Sequence, residues 1–225
     1  ETIASAFLTS PGAMAKRLVR AKDKIRVAGI QFSVPAREEM GPRLSAVLDA
    51  IYAAFSEGWT DPAGTDAARR DLTGEALFLA RLTTELMPHE PEALGLAALM
   101  FHAEARRPAR RNADGDYVPL AEQDTARWNA DLIAEADDLL RRAGSAGSLG
   151  RYELEAALQS AHAHRRLTGR ANWAEIVALY DALLVLTPSS VIAINRALAL
   201  AEAETPDTGL AAMPRAEDDP RLANY

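Results

Sequence analysis

Residues 44–55 read Leu44-Ser45-Ala46-Val47-Leu48-Asp49-Ala50-Ile51-Tyr52-Ala53-Ala54-Phe55. Leu44, Val47, Leu48, Ile51, Tyr52 and Phe55 recur at three- and four-residue spacing. That period places them on one face of an α-helix and excludes a strand, whose faces alternate every residue. The same period continues downstream through Leu72, Ala76, Leu79, Thr83 and Leu86. Pro88 ends that helix and Pro91 opens the next, where Leu94, Ala97, Ala98, Phe101 and Ala105 follow. Trp128, Leu132, Ala136, Leu139 and Leu140 mark a further helix. Gly144, Gly147 and Gly150 form a joint, and helices are expected at 152–167, 173–186 and 191–203. No stretch sustains period-2 alternation. The expected fold is all-α, with about seven helices after residue 43. The longest irregular stretch is PARRNADGDYVPL (108–120), with an Asp114-Gly115 turn and room for no more than a tiny hairpin.

Working back toward the N-terminus, Gln31 to Arg43 contains Pro35, Gly41 and Pro42 and reads as a linker. The charge sign changes there. Residues 1–34 hold six basic residues (Lys16, Arg17, Arg20, Lys22, Lys24, Arg26) against two acids (Glu1, Asp23), a net +4. The chain as a whole carries −7, which leaves −11 on the remainder. A basic block on an acidic body suggests one nucleic-acid-facing segment, against the plainer reading of a solvated helix face. Glu1 to Leu8 reads as the end of a helix, Thr9-Ser10-Pro11-Gly12 as a turn, and Ala13 to Ala28 as a helix stopped by Gly29. On a helical wheel Met14, Leu18, Ala21 and Ile25 form one stripe. Lys16, Arg17, Arg20 and Lys24 gather roughly 200–300° away from it. A turn followed by such a helix is the helix-turn-helix arrangement, whose second helix reads base edges and neutralises phosphates.

The 225 residues include no cysteine, which excludes a disulfide framework, a thiol nucleophile and Cys-ligated metal, and fits a reducing, cytoplasmic setting. No apolar run approaches the ~18 residues of a membrane span, so no membrane partner is expected. The start lacks a signal-peptide pattern and an initiator Met, which suggests a piece of a longer protein. No phosphate-cradling loop, nucleophile elbow or metalloprotease motif is present. His162 and His164 are two apart on a helix and point away from each other, as do Glu153 and Glu155. His102 lies in an apolar run and is expected to be partly buried and bonded to one partner. Neither catalytic residues, metal nor cofactor is expected. Trp173, Leu179, Tyr180, Pro188, Asn195, Ala197 and Ala199 fall in a helix–turn–helix of about 34 residues, the length of a tetratricopeptide unit. A generic antiparallel helix pair fits that spacing equally well.

Phe7-Leu8, Ala15 through Lys22 (AKRLVRAK) and Lys24-Ile25-Arg26 together resemble the end of region 4 of extracytoplasmic-function sigma factors. Gly95 through Met100 (GLAALM), Ala105 through Arg110 (ARRPAR), Glu122-Gln123-Asp124 with Trp128, and Ala193 through Ala197 (AINRA) are similar to the long helical, tetratricopeptide-like extension of one subgroup of that family. The chain departs from the family pattern at Ala13, often Thr, at Lys16, often Gln, and at Thr125, often Arg.

The resemblance implies a bacterial alternative sigma factor that binds core RNA polymerase and promoter DNA to start transcription. Region 2 and the first helices of region 4 would be missing. Residues 1–30 would be the end of region 4, 31–43 a linker and 44–225 the extension. Lys16, Arg17, Arg20 and Lys24 would contact DNA. Arg106, Arg110, Gln123, Asp124, His162, Asn195 and Arg196, with Glu57, match the extension's polar motifs. All but Glu57 form a candidate regulatory groove for a protein or small ligand, against a purely structural role. The alternative is a tetratricopeptide-like interaction scaffold with no direct DNA role.

Overall fold

The computed structural model describes residues 10–29, 37–59, 67–147 and 149–215. Among them are nine α-helices: α1 (Pro11–Val27), α2 (Arg37–Trp59), α3 (Ala67–Leu86), α4 (Pro91–Ala105), α5 (Ala130–Gly144), α6 (Arg151–Thr168), α7 (Trp173–Leu186), α8 (Ser190–Ala203) and α9 (Pro206–Ala212). Among the described residues no β-strand forms, and extended pairing is limited to one bridge between Arg111 and Tyr117. The fold is all-α. No described helix is long and apolar enough to cross a membrane.

The chain divides into two compact units, one ending at Thr73 and one beginning at Gly74. In the first, α1 begins two residues earlier than the periodicity predicts. Ser10 is its cap: the Oγ accepts from the Ala13 amide at 3.3 Å, and Pro11 occupies the first turn, where its missing N–H costs nothing. The chain leaves α1 through Gly29, whose φ of +59° suits a residue without Cβ. The helix end expected over residues 1–8 lies outside the described residues, as does the 31–36 part of the expected linker. The rest of that linker is helical, because α2 starts at Arg37 and runs through Gly41 and Pro42. A proline this close to the helix start removes one amide donor, and the long apolar face that follows outweighs that loss. Leu48, Ile51 and Phe55 of that face are buried, and the Phe55 ring stacks on Trp59 with centroids 5.6 Å apart.

In the second unit α4 is the central rod. Ala93 to Ala103 and Ala105 are all buried, a helix apolar on every side. It packs against α5 and α6; α6 packs on α7, α7 on α8, and α8 on the short α9, an eighth helix after residue 36 that the periodicity does not reveal. Helices α4 and α6 come close together at Gly95, where a Cβ would stand 2.6 Å from the backbone nitrogen of Glu153. From α3, Arg81 grips Glu135 of α5 through two bonds of 3.0 and 2.9 Å and lies 4.4 Å over the Phe101 ring. The segment between α4 and α5 folds into three 3₁₀ turns, Arg107–Ala109, Leu120–Glu122 and Thr125–Arg127, with the small hairpin around Gly115 between the first two. Trp128 at its end joins Ala105, Ala109, Ile133 and Ala163 in a buried cluster, which ties the loop to α4, α5 and α6.

Candidate functional site

Most of the residues singled out by sequence fall in two places. On α1, Lys16, Arg17, Arg20 and Lys24 are all exposed, and the Arg20 Nε donates to the Lys16 carbonyl at 3.2 Å. Of the apolar stripe, Met14 is buried, while Leu18 and Ile25 are 43% and 54% exposed. Amphipathic placement is therefore realised at the helix start and not along its whole length. Near the C-terminal end Arg26 pairs with Asp23 at 2.9 Å.

The second place lies where the 106–129 loop meets α6. Arg106, just past the end of α4, donates through Nη2 to Gln159 Oε1 and through Nε to the His102 carbonyl. Arg165 of α6 donates to the carbonyls of Leu120 (2.6 Å), Ala121 (2.9 Å) and Gln123 (3.2 Å), with its guanidinium 5.4 Å over the Trp128 ring. Gln159, His162 and Arg165 are spaced by three and so share one face of α6. The His162 ring meets Trp173 edge-on, centroids 5.7 Å apart. Burial, followed by the charges of Arg106 and Arg165, lowers the His162 imidazole to about 4. Burial, then the neighbouring Arg110, lowers Arg106 to about 10. Arg110 is itself pushed down by burial and lies 5.8 Å over the Tyr117 ring. The carboxylate that acts on Arg110, Glu104, is held at 2.7 and 2.8 Å by Arg107. The result is a group of cations with few carboxylates.

The remaining groove residues divide. Gln123 is buried and donates through Nε2 to the Val118 carbonyl at 3.0 Å. Asp124 caps the turn that follows, accepting from Ala126 N at 2.9 Å. Both hold the loop's own shape. Arg196 on α8 pairs with Asp181 of α7, and its neighbour Asn195 is exposed. These two belong to the α7–α8 pair, and no described bond links them to Arg106 or Arg165. Glu57 lies on α2 in the other unit. Sequence reading missed Arg165 and Gln159. The available signal was their three-residue spacing from His162.

His102 is almost fully buried, 1% exposed. Its Nε2 lies 3.3 Å from Asp137 Oδ1, within ion-pair range but without hydrogen-bond alignment, and Ser160 donates to the same oxygen at 2.8 Å. Burial pushes the Asp137 carboxyl up. His102 and Ser160 together outweigh that and hold it below the usual range.

Residues 43–144 match the model of a family described as a family of unknown function (DUF6596). An uncharacterized protein of Rhizobium meliloti (strain 1021) is 39% identical over 209 residues, which cover 93% of this chain and 49% of that relative. No solved structure matches the chain. The chain spans about half the length of the curated relative it matches.

Proposed function

We propose that the chain is part of a bacterial alternative sigma factor. Its α1 contributes to promoter DNA binding, and its helical second unit modulates the activity of the holoenzyme with core RNA polymerase. The reading rests on the resemblance of residues 7–26 to region 4 together with that of 95–100, 105–110, 122–128 and 193–197 to the helical extension of one subgroup. One observation supports it further: Lys16, Arg17, Arg20 and Lys24 all stand exposed on one capped helix. Four such cations can neutralise phosphates, and Arg17 and Arg20 have the fork geometry for guanine or phosphate. No catalytic role is assigned to any residue.

The test is DNA binding by the full-length protein in complex with core RNA polymerase, wild type against a variant with Lys16, Arg17, Arg20 and Lys24 changed to Gln. Each phosphate contact contributes about 0.9 to the slope of log affinity against log salt, so the variant should flatten that slope by about 3 to 4. An unchanged slope would remove α1 from the interface. It would favour the scaffold reading, which the exposed Val185, Leu186 and Leu198 of the α7–α8 pair also suit.

A further inference from the structure

We infer that Arg106, Arg165 and His162, with Arg110 at the rim, form a binding site for a small oxyanion, a molecule presenting a carboxylate or phosphate group, in the second unit. The inference is independent of any DNA-binding role for α1. Its ground is a charge imbalance. Arg106 spends its described hydrogen bonds on a neutral amide, Gln159, and a backbone carbonyl; Arg165 spends its own on three backbone carbonyls and an aromatic face. Among the described residues no carboxylate pairs with either guanidinium. Arg106 is largely buried and feels the charge of Arg165 with no counter-charge beside it, which is costly, and an anion between the two relieves both the desolvation and the repulsion.

Arg106, Arg110, His162 and Arg165 each keep part of their surface exposed, Arg165 the most and Arg106 the least, so a ligand would enter from the Arg165 side. A guanidinium with donors to spare offers a planar fork that matches either oxyanion in two-point contact. The neutral His162 adds one donor and one acceptor beside the cations. The aromatic walls are Trp128 under Arg165 and Trp173 against His162. The hairpin that carries Tyr117 closes toward Arg110, which gives the site one wall on the 106–129 loop and one on α6.

Two of the three tryptophans flank the site and report on it directly. The experiment titrates the protein separately with inorganic phosphate, pyrophosphate and citrate at constant ionic strength, following tryptophan fluorescence, with chloride as the control. At least one oxyanion should give a saturable change that chloride does not, and preference between the phosphates and citrate identifies the group recognised. Arg106→Gln should weaken that binding at least tenfold, and Arg106→Lys, which keeps the charge and loses the fork, by less. Should the glutamine variant fail to fold, the lysine variant alone carries the comparison. The inference is overturned by the absence of a saturable response in the wild type below about 10 mM. It is equally overturned by unchanged affinity in a folded Arg106 variant.

Discussion

The carboxylate of Glu92, in the first turn of α4, accepts from the backbone nitrogen of Tyr152 at 3.0 Å and so caps α6 from a different helix. It also accepts from Glu153 N at 3.3 Å. The residue in the usual capping position is Gly150, which has no side chain to offer. A negative charge at a helix start also meets the favourable end of the macrodipole. Replacing Glu92 with Ala should cost about 1 to 2 kcal/mol, seen as a lower midpoint in urea unfolding with an unchanged slope. A midpoint within error of wild type would show that water serves those amides equally well.

Gly95 should tolerate no side chain. Its Cβ position lies 2.6 Å from Glu153 N and 2.9 Å from Glu153 Cα, both backbone atoms that cannot turn aside. Gly95→Ala should destabilise the second unit by about 1 to 3 kcal/mol despite the better helix propensity of alanine. Gly74, also within a helix, has nothing within 4 Å of its Cβ position, so Gly74→Ala is the matched control and should be neutral or stabilising. Thermal unfolding of the two variants side by side checks the contrast.

The His162 imidazole, lowered from 6.5 to about 4, binds its proton less readily in the folded chain than in the unfolded one. The unfolded state therefore takes up a proton first as pH falls below about 6.5. Folding stability drops by up to about 1.4 kcal/mol per pH unit until the folded imidazole protonates near 4. Stability curves of wild type and His162→Gln between pH 7 and 4 should converge toward acid. Parallel curves would mean that His162 titrates alike in both states.

Arg165 anchors the loop through carbonyls at three positions of residues 120–123. Arg165→Ala should speed amide hydrogen exchange across 118–128 more than in α7 or α8, with a global loss of about 2 to 3 kcal/mol for the charged bonds removed. Exchange unchanged in that loop would show that Trp128 packing alone holds it.

How far the sequence carried these conclusions differs by element. The helices from α3 to α8 were legible because their apolar residues keep a 3.6 period and because Pro88, Pro91 and the glycines at 144–150 punctuate the chain between them. Ser10 lies in the expected turn and caps α1, whereas Asp124, expected in the groove, caps a 3₁₀ turn instead. Pro42 misled because a proline near a helix start looks like a linker until the length of the following apolar face is weighed against one lost bond. α9 is seven residues long, too short for any periodicity to show. Arg165 escaped notice for another reason: its partners are backbone carbonyls more than forty residues away, which carry no side-chain signature. Asn195 and Arg196 share motif membership with Arg106. The tertiary fold instead gives Arg196 a partner on its neighbouring helix, Asp181.

The most direct measurement adds the full-length protein to core RNA polymerase and quantifies promoter-dependent transcript, alongside the same protein with Lys16, Arg17, Arg20 and Lys24 replaced by Gln. Transcript is expected from the wild type and a large loss from the variant, with polymerase binding retained. The absence of both transcript and polymerase binding from the wild type would contradict the sigma-factor reading.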